Sequence, residues 1–286
     1  MIDEYFLRRP YKGDGSYKLA DGSVNPKGGP RDGMIRTKAD LDWVAAMMAA
    51  GYTFNNNLKN IGSNGSNLWY GDLIMDDVNG DGKYGNDDDR EFTGKSSTPK
   101  VTLGLNITAA WRGFDLNMTW SGRFGGYHYL NSKGANGSMI TNVGDALPGD
   151  AWNKFYFYDS EASHAGIIKD ENGTIIGSSY DPATDPNANI SNEYPRLLTS
   201  GGTTPSNTFY LYNTSFFKLK SLQIGYTLPK KWIAPAKISN LRVFVSGENL
   251  LTIKSSRFPG VDPELGSSLA VYPIARMFSG GLSVTF

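Results

Sequence analysis

Hydrophobic and polar residues alternate in five stretches of the chain and in few other places. Val101, Leu103, Leu105, Ile107, Ala109 and Trp111 fall on one side, with Thr102, Gly104, Asn106, Thr108 and Ala110 on the other. A period of two marks a strand with a single apolar face. Arg112 and Gly113 follow as a tight reversal, after which Phe114, Leu116, Met118, Trp120 and Phe124 alternate with Asp115, Asn117, Thr119, Ser121 and Arg123. This predicts a hairpin. A third strand is expected over 216–228, where Leu222, Ile224, Tyr226 and Leu228 alternate with Ser221, Gln223, Gly225 and Thr227 before Pro229 ends it. A fourth, over 241–250, sets Leu241, Val243 and Val245 against Arg242, Ser246 and Glu248, its alternation weakening toward Asn249. In the last, Phe278, Leu282, Val284 and Phe286 oppose Ser279, Gly281, Ser283 and Thr285.

One helix is expected, over 38–50: Thr37 and Asp40 read as a capping box, and Leu41, Val44, Ala45 and Met48 recur at helical spacing before Gly51. Residues 1–36 read as irregular loop and 51–99 as polar loop. The segment 126–208 is rich in Gly, Asn, Asp, Ser and Pro and far longer than an ordinary connection. Two regions follow: 1–99, a loop region with a short helix, and 100–286, strands interrupted by the long loop.

A one-sided strand can turn its apolar face to a protein core or to lipid. The connections favour lipid, because a two-residue turn at 112–113, a very long loop, a short turn at 229–239 and a longer loop reproduce the alternation of short periplasmic turns and long extracellular loops. Trp111 and Phe114 flank the tight turn, where an aromatic girdle would meet the membrane interface. The fold class expected is all-β, an antiparallel transmembrane β-barrel, with a soluble β-sandwich as the alternative.

Composition narrows the functions. Twenty-eight Lys and Arg against 28 Asp and Glu give zero net charge, which lacks the basic footprint of a nucleic-acid binder. Cysteine is absent, so disulfides, thiolate metal sites and Cys nucleophiles are excluded. No run of about 20 apolar residues occurs, which excludes a transmembrane helix and leaves a barrel open. Residues 1–10 lack the apolar core of a secretory signal, so an export signal is expected upstream: Phe286 is read as a true end and Met1 as no true beginning.

Several runs resemble one family, the SusC/RagA-type TonB-linked outer-membrane transporters. They are GDLIMDDVNGDGKYGNDDDREFTG from Gly71, LGLNITAAWRGFDLNMTWSGRFGG, FFKLKSLQIGYTLPKKW, ISNLRVFVSGENLLT and the closing ARMFSGGLSVTF. The resemblance covers about the last two-thirds of the chain. It implies the C-terminal strands of a 22-stranded barrel, with the plug and the TonB-contacting segment absent from this chain. It also implies a SusD-like surface lipoprotein as partner, import of glycans or peptides powered by TonB, an outer-membrane location and no catalytic residues. By the same resemblance, Phe278, Leu282, Val284 and Phe286 would form the signal read by the barrel assembly machinery.

Independently of that resemblance, Asp77, Asn79, Asp81, Lys83 and Asp88 fit the Ca²⁺-loop pattern at positions 1, 3, 5, 7 and 12. A hard cation needs several oxygen ligands, Lys83 would offer its carbonyl, and Gly82 permits the sharp turn. The plainer reading is an acidic turn whose side chains bond their own backbone. Trp152, Phe155, Tyr156, Phe157 and Tyr158 form an aromatic run that offers a platform for a sugar ring or partner, or an anchor for the loop itself. Asp145, Asp150, Asp159 and Glu161 supply carboxylates at no fixed spacing, and His128 and His164 sit in no metal-ligand or nucleophile–base spacing. The rivals to a transporter are a secreted Ca²⁺-stabilised β-sandwich that binds glycans and, more weakly, a surface glycoside hydrolase.

Overall fold

Arg112 (φ 48°) and Gly113 (φ 88°) both adopt left-handed backbone, and this pair turns strand β1 (Val101–Trp111) directly back on β2 (Phe114–Phe124). In this computed structural model, which describes residues 4–129, 154–196, 205–258, 262–265, 272 and 274–286, the hairpin opens a five-stranded antiparallel sheet. The remaining strands, β3 (Phe216–Thr227), β4 (Asn240–Lys254) and β5 (Met277–Thr285), follow in chain order as a simple meander. Strands β1 and β5 are each paired on one side, and the sheet does not close among the described residues. The chain divides into two compact units, one built on 95–128 and 212–286, the other on 4–94 and 129–211.

Register shows how thoroughly the first unit separates its faces. Trp111 opposes Phe114, which opposes Tyr226, then Val243, then Leu282, so one apolar row crosses all five strands. Thr108, Asn117, Gln223, Ser246 and Ser279 form a polar row on the other face. The apolar face is open: Trp111 and Leu282 are each 68% exposed and Val245 59%. A soluble sandwich would cover that face with a second sheet, and no described element does so.

The polar face is crossed by ion pairs. Arg242 Nε and Nη2 donate to Asp115 at 2.9 and 2.5 Å, and Nη2 reaches Gln223 at 3.2 Å. They meet above Gly225, where a Cβ would stand 2.4 Å from Asp115 and 2.5 Å from Arg242. Any larger residue would push the two side chains aside. Near the other end of β3 the fully buried Lys218 pairs with Asp262 and with Glu264 (3.0 Å), while Lys220 Nζ holds Glu264 at 2.5 Å. These bonds fix the Pro263–Leu265 turn to the polar face.

A bulge at Lys220 flips the in-and-out phase of β3, so that Phe217 and Leu219 share a face with Leu222 and Ile224, whereas the irregularity on β4 leaves the phase unchanged, with Leu251 and Ile253 on the face of Val243 and Val245. Register shifts between Leu219 and Ser221 on β3, and Asn249 on β4 takes φ 55°. Strand β4 continues past Asn249 to Lys254, beyond the expected 241–250, pairing with Phe216–Leu219.

In the second unit 4–36 and 51–99 are largely irregular, as expected, apart from the short strands Glu4–Leu7, Thr53–Phe54, Lys83–Tyr84 and Glu91–Ser96 and the 3-10 turn Asp87–Asp89, yet they build a packed core. Leu68, Trp69, Tyr70, Leu73, Ile74 and Met75 are all fully buried and join Tyr11, Met34, Ile35 and Tyr84 in one core. Three segments run side by side: Tyr11 N–H bonds Ile74 O (3.0 Å), Ile74 N–H bonds Gly33 O (2.8 Å) and Gly71 N–H bonds Ile35 O (2.7 Å). Glu4–Leu7 is a strand paired with the strand that begins at Glu91. The expected helix forms over Lys38–Ala49, with the capping box of Thr37 and Asp40 in place. Its buried face is Leu41, Trp43, Val44 and Met47, one step round from the expected stripe, because Trp43 stacks on Tyr11 (5.4 Å between centroids) and meets Phe54 edge-on.

The single expected helix is also too few. Short helices occupy Ser160–Ala165 and, inside the expected short turn, Lys230–Ile233. Among the described residues no helix is long and apolar enough to cross a membrane, which says nothing about strands.

Candidate functional site

The acidic loop folds around its own side chains. Asp77 Oδ1 accepts from Gly80 N–H (2.7 Å) and Asp77 Oδ2 from Gly82 N–H (2.9 Å); Asn79 Oδ1 accepts from Asp81 N–H (2.9 Å) and Asp81 Oδ1 from Lys83 N–H (2.8 Å). The Asn79 and Asp81 bonds are Asx turns, Asp77 reaches three and five residues on, and Gly80 and Gly82 supply left-handed backbone within the loop. Lys83 and Tyr84 pair in parallel with Thr53 and Phe54, and the Lys83 carbonyl accepts from Asn86 N–H at 3.3 Å.

Asp88 is exposed, and it joins the loop through its backbone N–H, bonding Asn86 Oδ1 at 2.9 Å. The carboxylate that turns back into the loop is that of Asp89. It is fully buried and accepts from Val78, Asn79, Gly85 and Asn86 N–H at 2.7, 3.4, 2.8 and 3.1 Å. Burial pushes its carboxyl up, against the pull of the N–H bonds from Val78, Asn79 and Gly85. Counting twelve positions from Asp77 missed it by one residue. The legible signal was Asn86-x-x-Asp89, the capping box of the 3-10 turn Asp87–Asp89.

Among the described residues, no three His, Cys, Asp or Glu side chains gather where they could share a metal. A cation here would draw on Asn79 and main-chain oxygens beside Asp77 and Asp81. Their carboxylate oxygens keep lone pairs beyond the N–H bonds they accept.

The aromatic run divides. Tyr156 is 1% exposed, and its hydroxyl donates to Arg36 O at 2.7 Å; burial raises its pKa. It anchors the long segment to the core. Tyr158 is half-buried and lines a cavity of about 460 Å³ with Ser63, Ser160, Glu161 and His164. Its hydroxyl accepts from Arg196 Nη1 at 3.2 Å. Asp159 caps the short helix that carries Glu161 and His164. Phe157 is 53% exposed. Trp152, Asp145 and Asp150 lie outside the described residues.

What holds this wall is an ion pair that sequence reasoning did not single out. Arg196 Nε and Nη2 donate to Asp72 Oδ1 and Oδ2 at 2.8 and 2.7 Å, with both side chains about 95% buried. Burial alone would lower the guanidinium's pKa; Asp72 together with the Tyr158 hydroxyl more than reverses this and raises it. Trp69 Nε1 donates to Ser163 Oγ (2.8 Å) and Tyr70 Oη to Tyr180 O (2.6 Å), so the 154–196 segment is packed onto the core at several points.

In the last strand Phe278, Leu282 and Val284 oppose Gly247, Val243 and Leu241 on the apolar face. Phe286, beyond the strand's last paired residue, is 87% exposed.

These features define a class: a mostly antiparallel β chain whose sheet is apolar and exposed on one face, charged on the other, and joined by long loops. Comparison with known proteins is consistent with the resemblance read from the sequence motifs. No protein-family model matches. Among curated proteins the chain is similar to TonB-dependent receptor P3 of Formosa agariphila, 26% identical over 76% of this chain. It is also similar to TonB-dependent receptor SusC of Bacteroides thetaiotaomicron, 27% identical over 47% of the chain. The chain spans 19% and 13% of the lengths of these relatives. A solved structure of the RagAB peptide transporter aligns over 82% of this chain and 22% of its own, at 22% identity and a TM-score of 0.47.

Proposed function

We propose that this chain supplies barrel strands and surface loops to a TonB-dependent outer-membrane importer of glycans or other nutrient oligomers, working with a SusD-like surface lipoprotein and performing no catalysis itself. The observation that carries this reading is the row Trp111, Phe114, Tyr226, Val243 and Leu282. An apolar row across five strands, left open while the opposite face is knitted by ion pairs, is what lipid outside and a polar lumen inside require. Under this reading the sheet is one arc of a 22-stranded barrel, and the unit holding the acidic loop and the Tyr158 cavity faces the cell exterior. The names of the two curated relatives, both TonB-dependent receptors, support the TonB dependence in this reading.

Membrane fractionation tests it. The protein is expected in the outer-membrane fraction, co-purifying with a lipoprotein encoded beside it, and Phe286→Asp is expected to block insertion. A soluble, monomeric wild type would overturn the reading, and normal surface levels of Phe286→Asp would remove the assembly role of Phe278, Leu282, Val284 and Phe286.

The acidic loop is proposed to hold Ca²⁺ through Asp77, Asn79, Asp81 and the Lys83 carbonyl, stiffening the loop unit. Isothermal titration with millimolar Ca²⁺ should release heat in the wild type and not in Asp81→Ala. Equal heats, or none, count against it.

A further inference from the structure

We propose that the cavity between Arg8, Arg90 and the Asn56–Asn57 turn binds the oxyanion of an acidic sugar, either a uronate carboxylate or a sulfate ester. The cavity measures about 540 Å³, in the range of small-ligand sites, and it is built from charge and carboxamides. Arg8 is 2% exposed. Its Nε donates to Asn86 O (2.7 Å), and its Nη2 donates to Asp87 Oδ1 (2.6 Å) and Asn56 Oδ1 (3.3 Å). Among the described residues Nη1 makes no hydrogen bond. Among the described residues the side-chain polar atoms sealed from solvent without a partner are Thr53 Oγ1 and the Tyr129 hydroxyl, so Arg8 Nη1 is not sealed, and Arg8 lines the cavity.

Charge points the same way. Arg90 Nη2 donates to the very oxygen that Arg8 uses, Asp87 Oδ1, at 2.5 Å. Asp87 is the one acid lining the cavity among the described residues. Two guanidiniums sharing a single carboxylate leave one positive charge and several N–H donors for a second anion, and the planar fork of Arg suits carboxylate and sulfate oxygens.

The wall opposite is held in a costly conformation. Asn55, Asn56 and Asn57 take φ values of 41°, 61° and 69° in succession, a left-handed run that non-glycine residues disfavour. Asn55 locks it: its Oδ1 accepts from Met75 N–H (3.1 Å) and its Nδ2 donates to Leu73 O (2.7 Å). The run presents the exposed Asn57 carboxamide to the cavity, with the Ser206 hydroxyl on its rim. These neutral donors and acceptors suit ring hydroxyls. Among the described residues the lining holds one apolar residue, Pro205, little for a peptide side chain to bury against.

As a substrate contact this rests on the importer reading, but as a binding site it rests on the cavity alone. Equilibrium binding to the purified full chain in detergent separates the two, since it needs no transport. The probes are an oligogalacturonate, a sulfated galactan oligomer, neutral maltotetraose, sodium sulfate and an oligoglutamate peptide. At least one acidic saccharide is expected to bind while maltotetraose does not. Arg90→Gln, at a half-exposed position that should not disturb folding, is expected to weaken that binding about tenfold or more, the value of one charged hydrogen bond. Arg8→Gln should abolish it. Equal binding of maltotetraose, binding unmoved by Arg90→Gln, or no binding of either acidic saccharide overturns the proposal. Oligoglutamate bound as tightly as the sugars replaces the sugar assignment with a peptide one, and sulfate bound as tightly reduces the site to an ion site.

Discussion

Arg196→Met is expected to cost the loop unit about 3–5 kcal/mol, the usual penalty for stranding one member of a buried ion pair. Asp72 is 3% exposed. Its Oδ2 also accepts from Trp69 N–H at 2.8 Å, inside the best-buried stretch of the chain. Without Arg196 that carboxylate keeps one N–H bond and no counter-charge. The same substitution frees the Ser63 carbonyl, bonded by Nη1 at 3.1 Å, and the Tyr158 hydroxyl, so the Tyr158 cavity should loosen with the core. Hydrogen exchange at the amides of 69–75 reads the effect: protection should fall there first. Pairing Arg196→Met with Asp72→Asn should recover part of the loss, because the neutral amide still accepts from Trp69 and leaves no buried charge. A cost below about 1 kcal/mol for Arg196→Met would mean that solvent reaches the pair.

The contrast between the two units explains what the sequence could disclose. In the sheet, a residue's face is decided by the pleat, a local rule, so Val101–Trp111 and Phe114–Phe124 were legible residue by residue. Legibility failed where the pleat is interrupted. The bulge at Lys220 shifts the phase of β3, and this is why Phe216–Leu219 shows no alternation continuous with Leu222–Tyr226. In the loop unit no local rule applies. Leu68-Trp69-Tyr70 and Leu73-Ile74-Met75 are triplets with neither helical nor strand period, and they are buried by partners as distant as Tyr11 and Ile35 through isolated bridges. The helix start was readable because a capping box is local; its buried face was not, because Tyr11 and Phe54 set it. Arg196 carries no sequence mark at all, and Asp72 lies 124 residues away.

Leu105→Arg is expected to destabilise the protein in lipid by about 2–4 kcal/mol, Trp111→Arg by about 0–1 kcal/mol, and Asn106→Arg by little. All three positions lie on β1. Leu105 and Trp111 share the apolar face, at mid-strand and at the turn, 44% and 68% exposed, while Asn106 is on the polar face opposite Thr119. A soluble sandwich also penalises Arg at Leu105 and spares Asn106, so the two faces alone do not separate the readings. Depth does. Only a bilayer makes the cost of Arg rise from the interface toward the midplane, because near the interface the side chain can snorkel to the headgroups. Refolding into vesicles of increasing chain length should therefore widen the gap between Leu105→Arg and Trp111→Arg, since a thicker bilayer carries position 105 further from water. A gap that stays constant with bilayer thickness would show that the apolar face meets protein, and the row from Trp111 to Leu282 would have to be read as half of a core.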